Sequence, residues 1–374
     1  MRCALLLLGV FSPLPALAVP CVAANFPTDS WPSRAAEVRE AKKTQIAALE
    51  ELAFTLVGKD SERLGQRTDA LLIIKGGQIV YEKYARGWDE GKIHISWSVA
   101  KSVTSALIGR AVQQGLLELD QSICQVLPNQ PEAICKITVH HLLEFSSGLD
   151  WQEEYEDQSY QVSSVIAMLF GEGHRDVLSF ITRHRSYAEP GVKWRYSTGE
   201  ATLLSAVAKL ALQPKHGKDW AWHALFDVIG MRGVTFEEDE KGTPLGGSHL
   251  FATARDYARI GYLYLHDGCW NGTRLLPEDW VKRSTEPSPS FISSAGPSET
   301  LPNGWMWWLN KVAGDVKEKP WKDAPGDAYS AIGHWGQFIV VVPSEDVVIV
   351  RTGDDRQDGI SLARLIPLSL EVAR

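Results

Sequence analysis

The sequence has 374 residues, 44% apolar and 22% charged, which is enough to bury a full core and too apolar for a disordered chain. Lysine and arginine total 38 against 46 acids, a net charge of −8, and no basic run exceeds a pair, so neither nucleic acid nor an anionic membrane is an expected partner. Five cysteines form neither a disulfide scaffold nor a zinc-ribbon pattern, leaving one large domain, or two intimate ones, with room for an enzyme.

Residues 1–18 read as an export signal: Arg2, the apolar stretch Ala4–Phe11, then Ala16-Leu17-Ala18 as a cleavage site. The stretch is too short to span a bilayer, and the expectation is export to a periplasm. Cys21 fits a lipid-modification site poorly after Ala18-Val19-Pro20. Cys124 and Cys135 are close enough in sequence to close a small disulfide loop in an oxidising compartment, while Cys21 and Cys269 receive no role.

Residues 33–55 predict one amphipathic helix, and residues 69–84 a β-hairpin turning at Gly76-Gly77. From about 98 to 230 the pattern is helices and long loops, including Val99–Gln114 and Thr202–Leu212. Helices follow at Ala252–Leu265 and Pro277–Arg283, then a Ser/Pro-rich loop over Ser284–Pro302. Strands return at Gly304–Asn310, Gln337–Val342 and Asp346–Thr352, and Gly359–Ala373 closes the chain as a helix. The economical architecture is α+β: one antiparallel sheet built from both ends of the chain, flanked by helices, with an all-helical domain inserted. The expected division is 19–97 and 240–374 for the sheet domain and 98–239 for the helical one, with the active site at their interface.

Ser98-Val99-Ala100-Lys101 opens a helix and places serine and lysine on one face, one turn apart. There the serine feels the positive helix end, beside backbone N–H groups free to bind an oxyanion. The lysine can accept the serine proton only when neutral, so burial or a nearby cation must lower its pKa from about 10.4. Tyr196-Ser197-Thr198 follows the loop signature Pro190–Arg195; a tyrosine held near cations would act as base toward the serine and as acid toward the leaving group. Gly333-His334-Trp335-Gly336 precedes an apolar strand, where glycines let backbone approach a substrate.

In that order, Ser-x-x-Lys, a Tyr-containing loop and a (Lys/His)-x-Gly element resemble the serine β-lactamase and penicillin-binding protein superfamily in its class C-like branch, closest to 6-aminohexanoate-dimer hydrolases and family VIII carboxylesterases. His140–Trp151, Pro190–Tyr196, Ala252–Asp256, Asp267–Gly272 and Gly333–Pro343 carry further likeness, so the resemblance runs from about residue 66 to 374. It implies the β-lactamase/transpeptidase-like fold, Ser98 as acyl-forming nucleophile, Lys101 as its activator, Tyr196 as general base and acid, His334 where the family often has lysine, and an oxyanion hole from the backbone N–H of Ser98 and Gln337.

Two departures redirect the expected chemistry. Thr198 stands where β-lactamases show the Asn of Tyr-x-Asn, and His334-Trp335-Gly336 where they show Lys-Thr-Gly, which removes a permanent charge suited to a substrate carboxylate. The expectation is an exported esterase or amidase forming a Ser98 acyl-enzyme, with a D-peptidase or weak β-lactamase, and a non-catalytic penicillin-recognising binding protein, as the rival readings. Thr198, Trp335, Gly336, Trp151 and Tyr155 are the expected substrate-binding residues, and a small ester or amide the expected partner. If His334 holds Lys101 or Tyr196 reactive, activity should show a titration that His334→Lys removes. No Gly-x-Ser-x-Gly elbow, His-Glu-x-x-His, paired Cys-x-x-Cys or phosphate-binding glycine loop occurs, so no metal or cofactor is called for. His140-His141 reads as a helix-packing pair.

Overall fold

The computed structural model describes Cys21 and residues 26–155, 162–356 and 359–374, so the export-signal segment 1–18 lies outside the described residues. The region expected as one helix over 33–55 is two, α1 (Ala35–Ala41) and α2 (Lys43–Phe54), broken at Lys42, where φ is −119° and ψ 33°. The apolar face of α2 is buried through Ile46, Leu49, Leu52 and Ala53, whereas α1 has no fully buried residue and packs only through the half-buried Ala35 and Val38.

The hairpin β1 (Thr68–Lys75) and β2 (Gln78–Tyr84) turns through Gly76-Gly77, both at positive φ. Then come β3 (His94–Ile95), α3 (Val99–Gln113), α4 (Val139–Leu143), α5 (Ser164–Phe170), α6 (Val177–Thr182) and α7 (Thr198–His216). After them lie β4 (Val234–Phe236), β5 (Leu250–Ala252), α8 (Ala254–Leu265), the two-residue pair β6 (Cys269–Trp270) and β7 (Thr273–Arg274), α9 (Trp280–Ser284) and α10 (Pro289–Ser294). β8 (Trp308–Leu309), β9 (Tyr329–Gly333), β10 (Gln337–Val342), β11 (Val347–Gly353) and α11 (Leu362–Ala373) end the chain.

One antiparallel sheet in the order β2-β1-β11-β10-β9-β8 joins strands from both ends of the sequence, as the α+β reading expects. Strands β1, β10 and β11 are apolar almost throughout because both faces are covered. Leu72, Ile339, Val348 and Val350 face a core shared with α3 and α8, while Leu71, Ile73, Val340 and Ile349 meet α2 and α11. Between β3 and β4 the described chain holds helices, loops and isolated bridges only, with α3 packed along α7. No helix among the described residues is long and apolar enough to cross a membrane.

The strand expected over Gly304–Asn310 shrinks to β8, because Met306 takes a left-handed φ of 66° that an extended run cannot continue through. Trp305 and Trp307 are core residues instead, 3% and 0% exposed, packed on Trp280 and Tyr264 respectively. Cys124 bonds Cys135, and Cys21 bonds Cys269 across 248 residues, tying the start of the described chain to β6. His141 supplies one arm of the α4 capping box with Thr138, and His140 bonds Glu144 at 3.0 Å, so this pair serves the helix.

Glu200, in the first turn of α7, is 2% exposed and accepts from the Ser147 amide at 3.1 Å. Burial raises its carboxyl to about 8, against the lowering effect of that bond and of Arg195. A folded pKa above the unfolded one means stability is lost as pH climbs from the unfolded value through about 8. Glu200→Gln is therefore expected to raise the melting temperature at pH 9, by about 1–3 kcal/mol of stability, and to change it little near pH 5. A gap that does not shrink toward acid pH contradicts the assignment.

Candidate active site

Ser98 opens α3 without capping it: its side chain makes no bond to the first helical turn, so the hydroxyl is left to other partners. Trp97, just before it, holds a left-handed φ of 45°, a costly conformation for an aromatic residue and one that aims the turn carrying Ser98. Lys101 lies one turn on and is 1% exposed. Its Nζ donates to, or shares a proton with, three oxygens at 2.8 Å each: Ser98 Oγ, Thr198 Oγ1 and the Gly247 carbonyl. Gly247 must be glycine for this, since a Cβ would sit 2.6 Å from the Thr198 carbonyl and 2.7 Å from its methyl. Burial lowers the Lys101 amine to about 8, with Glu153 opposing the shift.

Tyr196 sits just before α7 with its ring 4.8 Å from Lys101 Nζ and packed between Phe145 and Trp308. Although the residue keeps a partly exposed edge, burial and the charge of Glu153 push its phenol well above the usual tyrosine range, and the Ser98 hydroxyl offsets only part of this. One lysine stands beside Tyr196 and a carboxylate lies nearby, so burial and that carboxylate favour the protonated phenol, whereas burial favours the neutral form of the Lys101 amine.

Glu153, which belongs to no motif, accepts from Thr198 N at 2.9 Å, Trp151 Nε1 at 2.6 Å, Tyr155 Oη at 2.5 Å and the Thr198 hydroxyl. Three of the expected substrate-binding residues are therefore placed differently. Trp151 is 1% exposed and packed on Phe180 and His184, beneath the cleft rather than lining it. Thr198 is fully buried and turned to Lys101. Gly336 faces away, its carbonyl held by Arg351 Nη1 at 2.8 Å.

His334-Trp335-Gly336 is the turn between β9 and β10, not part of a strand. The His334 ring stacks on Tyr155 at 4.8 Å and meets Trp335 and Trp97. Trp97 in turn contacts His249, and His249 contacts Phe170, giving a continuous aromatic rim. Burial drops His249 to about 4, so that part of the rim is uncharged at neutral pH.

Strand phase decides which amide at the end of β9 turns toward the open edge of the sheet. Asn310 N–H donates to the Ala328 carbonyl at 3.0 Å, which fixes the side to which each β9 amide turns. Alternation then directs Ser330 and Ile332 toward β8, and Tyr329, Ala331 and Gly333 toward β10. Gly333 and Gln337 face each other as a hydrogen-bonded pair of that ladder, so the Gln337 amide is engaged within the sheet and is not the donor expected from the sequence. Because β8 pairs only as far as Ser330, the Ile332 N–H is left at the open edge. The end of β9 seats on the Ser98 turn: a Cβ on Gly333 would lie 2.3 Å from the Ser96 carbonyl. Among the described residues the Ser98 amide, at the head of α3, likewise has no acceptor. Ile332 escaped notice because nothing in its side chain signals a backbone role.

Residues 55–367 match the family described as Beta-lactamase. The chain belongs to the beta-lactamase family. It is similar to 6-aminohexanoate-dimer hydrolase of Paenarthrobacter ureafaciens, 23% identical over 317 residues that cover 82% of this chain and 77% of the relative. Among solved structures it resembles EstCE1, a hydrolase with promiscuous acyltransferase activity, at 14% identity and a TM-score of 0.61, covering 89% of this chain and 99% of the other. It also resembles a penicillin-binding protein homologue from Caulobacter crescentus at 16% identity and 0.56, covering 88% and 96%. The chain is thus a beta-lactamase-fold member of a hydrolase family, related at low identity to 6-aminohexanoate-dimer hydrolase.

The Lys101 amine is expected to titrate near pH 8, read from the ε-carbon resonance of labelled lysine with Lys101→Met as the assignment control. A midpoint at or above pH 10 would show that burial does not govern it.

Proposed function

We propose that this chain is a serine hydrolase that cleaves small esters or amides through an acyl-enzyme on Ser98. The observation that carries this reading is the 2.8 Å contact between Ser98 Oγ and a buried lysine amine whose pKa is lowered to about 8. Neutral Lys101 takes the hydroxyl proton as Ser98 Oγ attacks the substrate carbonyl carbon. The Ser98 and Ile332 N–H groups receive the developing oxyanion. As the C–O or C–N bond breaks, Tyr196, still protonated, stands as donor to the leaving atom, and the proton held by Lys101 restores it. Water then repeats the attack on the acyl carbonyl, with Lys101 again as base, and frees the acid and Ser98.

The rim of Trp97, Phe170, Tyr155, His249, His334 and Trp335 supports an apolar substrate rather than one gripped by a carboxylate, as does the His334-Trp335-Gly336 turn in place of Lys-Thr-Gly. Export belongs to the same proposal: the disulfides Cys21–Cys269 and Cys124–Cys135 support an oxidising compartment, the setting to which the 1–18 segment would direct the chain.

Mixing with a short p-nitrophenyl ester should give a burst of nitrophenol and an acyl mass adduct on wild type, and neither on Ser98→Ala, with steady-state turnover reduced by at least about 10³-fold. Equal turnover in Ser98→Ala would overturn the assignment. Hydrolysis of a chromogenic cephalosporin in preference to the ester would favour the β-lactamase reading.

A further inference from the structure

Glu153 makes four described hydrogen bonds, and in each the other partner is the donor: Thr198 N, Thr198 Oγ1, Trp151 Nε1 and Tyr155 Oη. Its two oxygens therefore act only as acceptors, and the single hydroxyl proton of Thr198 is committed to it. Thr198 Oγ1 can then only accept from Lys101, 2.8 Å away, and the Gly247 carbonyl, also at 2.8 Å, can only accept. A neutral amine has two N–H bonds and one lone pair. With both N–H bonds directed at Thr198 and Gly247, the lone pair is left for the third neighbour, Ser98 Oγ.

We propose that Glu153 is a positioning residue that fixes the direction of the hydrogen bonds around Lys101, so that the lone pair of the amine faces the Ser98 hydroxyl. The inference rests on the reading of Ser98 as the nucleophile. Thr198 is the intermediary, which explains why a buried hydroxyl occupies a place expected to touch substrate. A carboxamide at 153 offers an N–H to Thr198, whose hydroxyl can then turn its proton onto the Lys101 lone pair. Glu153 also acts at a distance, since its negative charge favours the ammonium form. The other titratable or charged groups around the cleft include Tyr155 on the same segment, Tyr196 before α7, His249 before β5, His334 in the β9–β10 turn and Arg356, over the Trp335 ring.

The test is the pH profile of kcat/KM for a p-nitrophenyl ester in Glu153→Gln, Thr198→Val, Thr198→Ser and the double variant Glu153→Gln/Thr198→Val, with Ser98→Ala alongside. Glu153→Gln is expected to lower the plateau about ten- to a hundredfold at nearly constant KM, within the range that a positioned base supplies. It should also move the rising limb to lower pH, because the charge favouring the ammonium is gone. Thr198→Val should lose as much, Thr198→Ser should recover most of that loss, and the double variant should fall no further than the worse single one. A residue that merely anchors the Trp151–Tyr155 segment would shift the limb through its charge alone, with no loss in Thr198→Val for Thr198→Ser to recover and with additive losses in the double variant. Should Glu153→Gln fail to fold, the Val-against-Ser comparison at 198 decides. An inactive Ser98→Ala with unmoved limb in Glu153→Gln, or additive losses in the double variant, overturns the inference alone; an active Ser98→Ala overturns the functional reading beneath it.

Discussion

A lysine 1% exposed has surrendered its hydration, and three oxygens at 2.8 Å and the face of the Tyr196 ring compensate. Those oxygens belong to the head of α3, the head of α7 and the Gly246-Gly247 segment before β5, between 49 and 149 residues apart in sequence. Holding them within hydrogen-bond reach of one nitrogen is the constraint that the rest of the site obeys. It requires α3 along α7, glycine at 247 and a small buried hydroxyl at 198. The sheet contributes through β9, whose end rests on the Ser96 carbonyl and brings the amide edge beyond the last β8 pairing to the serine.

Burial acts oppositely on the two candidate bases. It favours the neutral form of each, which lowers the lysine toward neutrality and lifts the tyrosine away from it. Glu153 raises both, so it moderates the lysine and reinforces the tyrosine. The division of labour follows: the amine moves the serine proton, and the phenol keeps its own until a leaving group needs it. Within the aromatic rim His249 is held neutral, while the Arg356 guanidinium lies over the Trp335 ring at 3.0 Å.

What was legible in the sequence was local or periodic. Ser98 and Lys101 announce themselves by a three-residue spacing on one helix, and the sheet strands by apolar runs such as Leu71–Ile74 and Gln337–Val342. Tyr196 could be placed but not its protonation, which depends on a carboxylate 43 positions earlier. Glu153 carries no motif, being one acid in an acidic chain. The choice between the Gln337 and Ile332 amides needs the phase of a hydrogen-bond ladder, and phase depends on where β8 ends. Trp151 and Thr198 were misplaced for the same reason: sequence neighbourhood to the cleft does not say whether a side chain faces it. The Cys21–Cys269 bond joins residues 248 apart and leaves no trace in spacing.

The central claim is that Ser98 is activated by an amine that loses its proton near pH 8. Single-turnover acylation by a p-nitrophenyl ester, followed from pH 6 to 10 with the adduct mapped to a peptide by mass spectrometry, tests it most directly. The account predicts an adduct on Ser98 whose rate of formation rises with pH through a midpoint of about 8. An adduct on another residue, or a rate on Ser98 that is flat across this range, would contradict it.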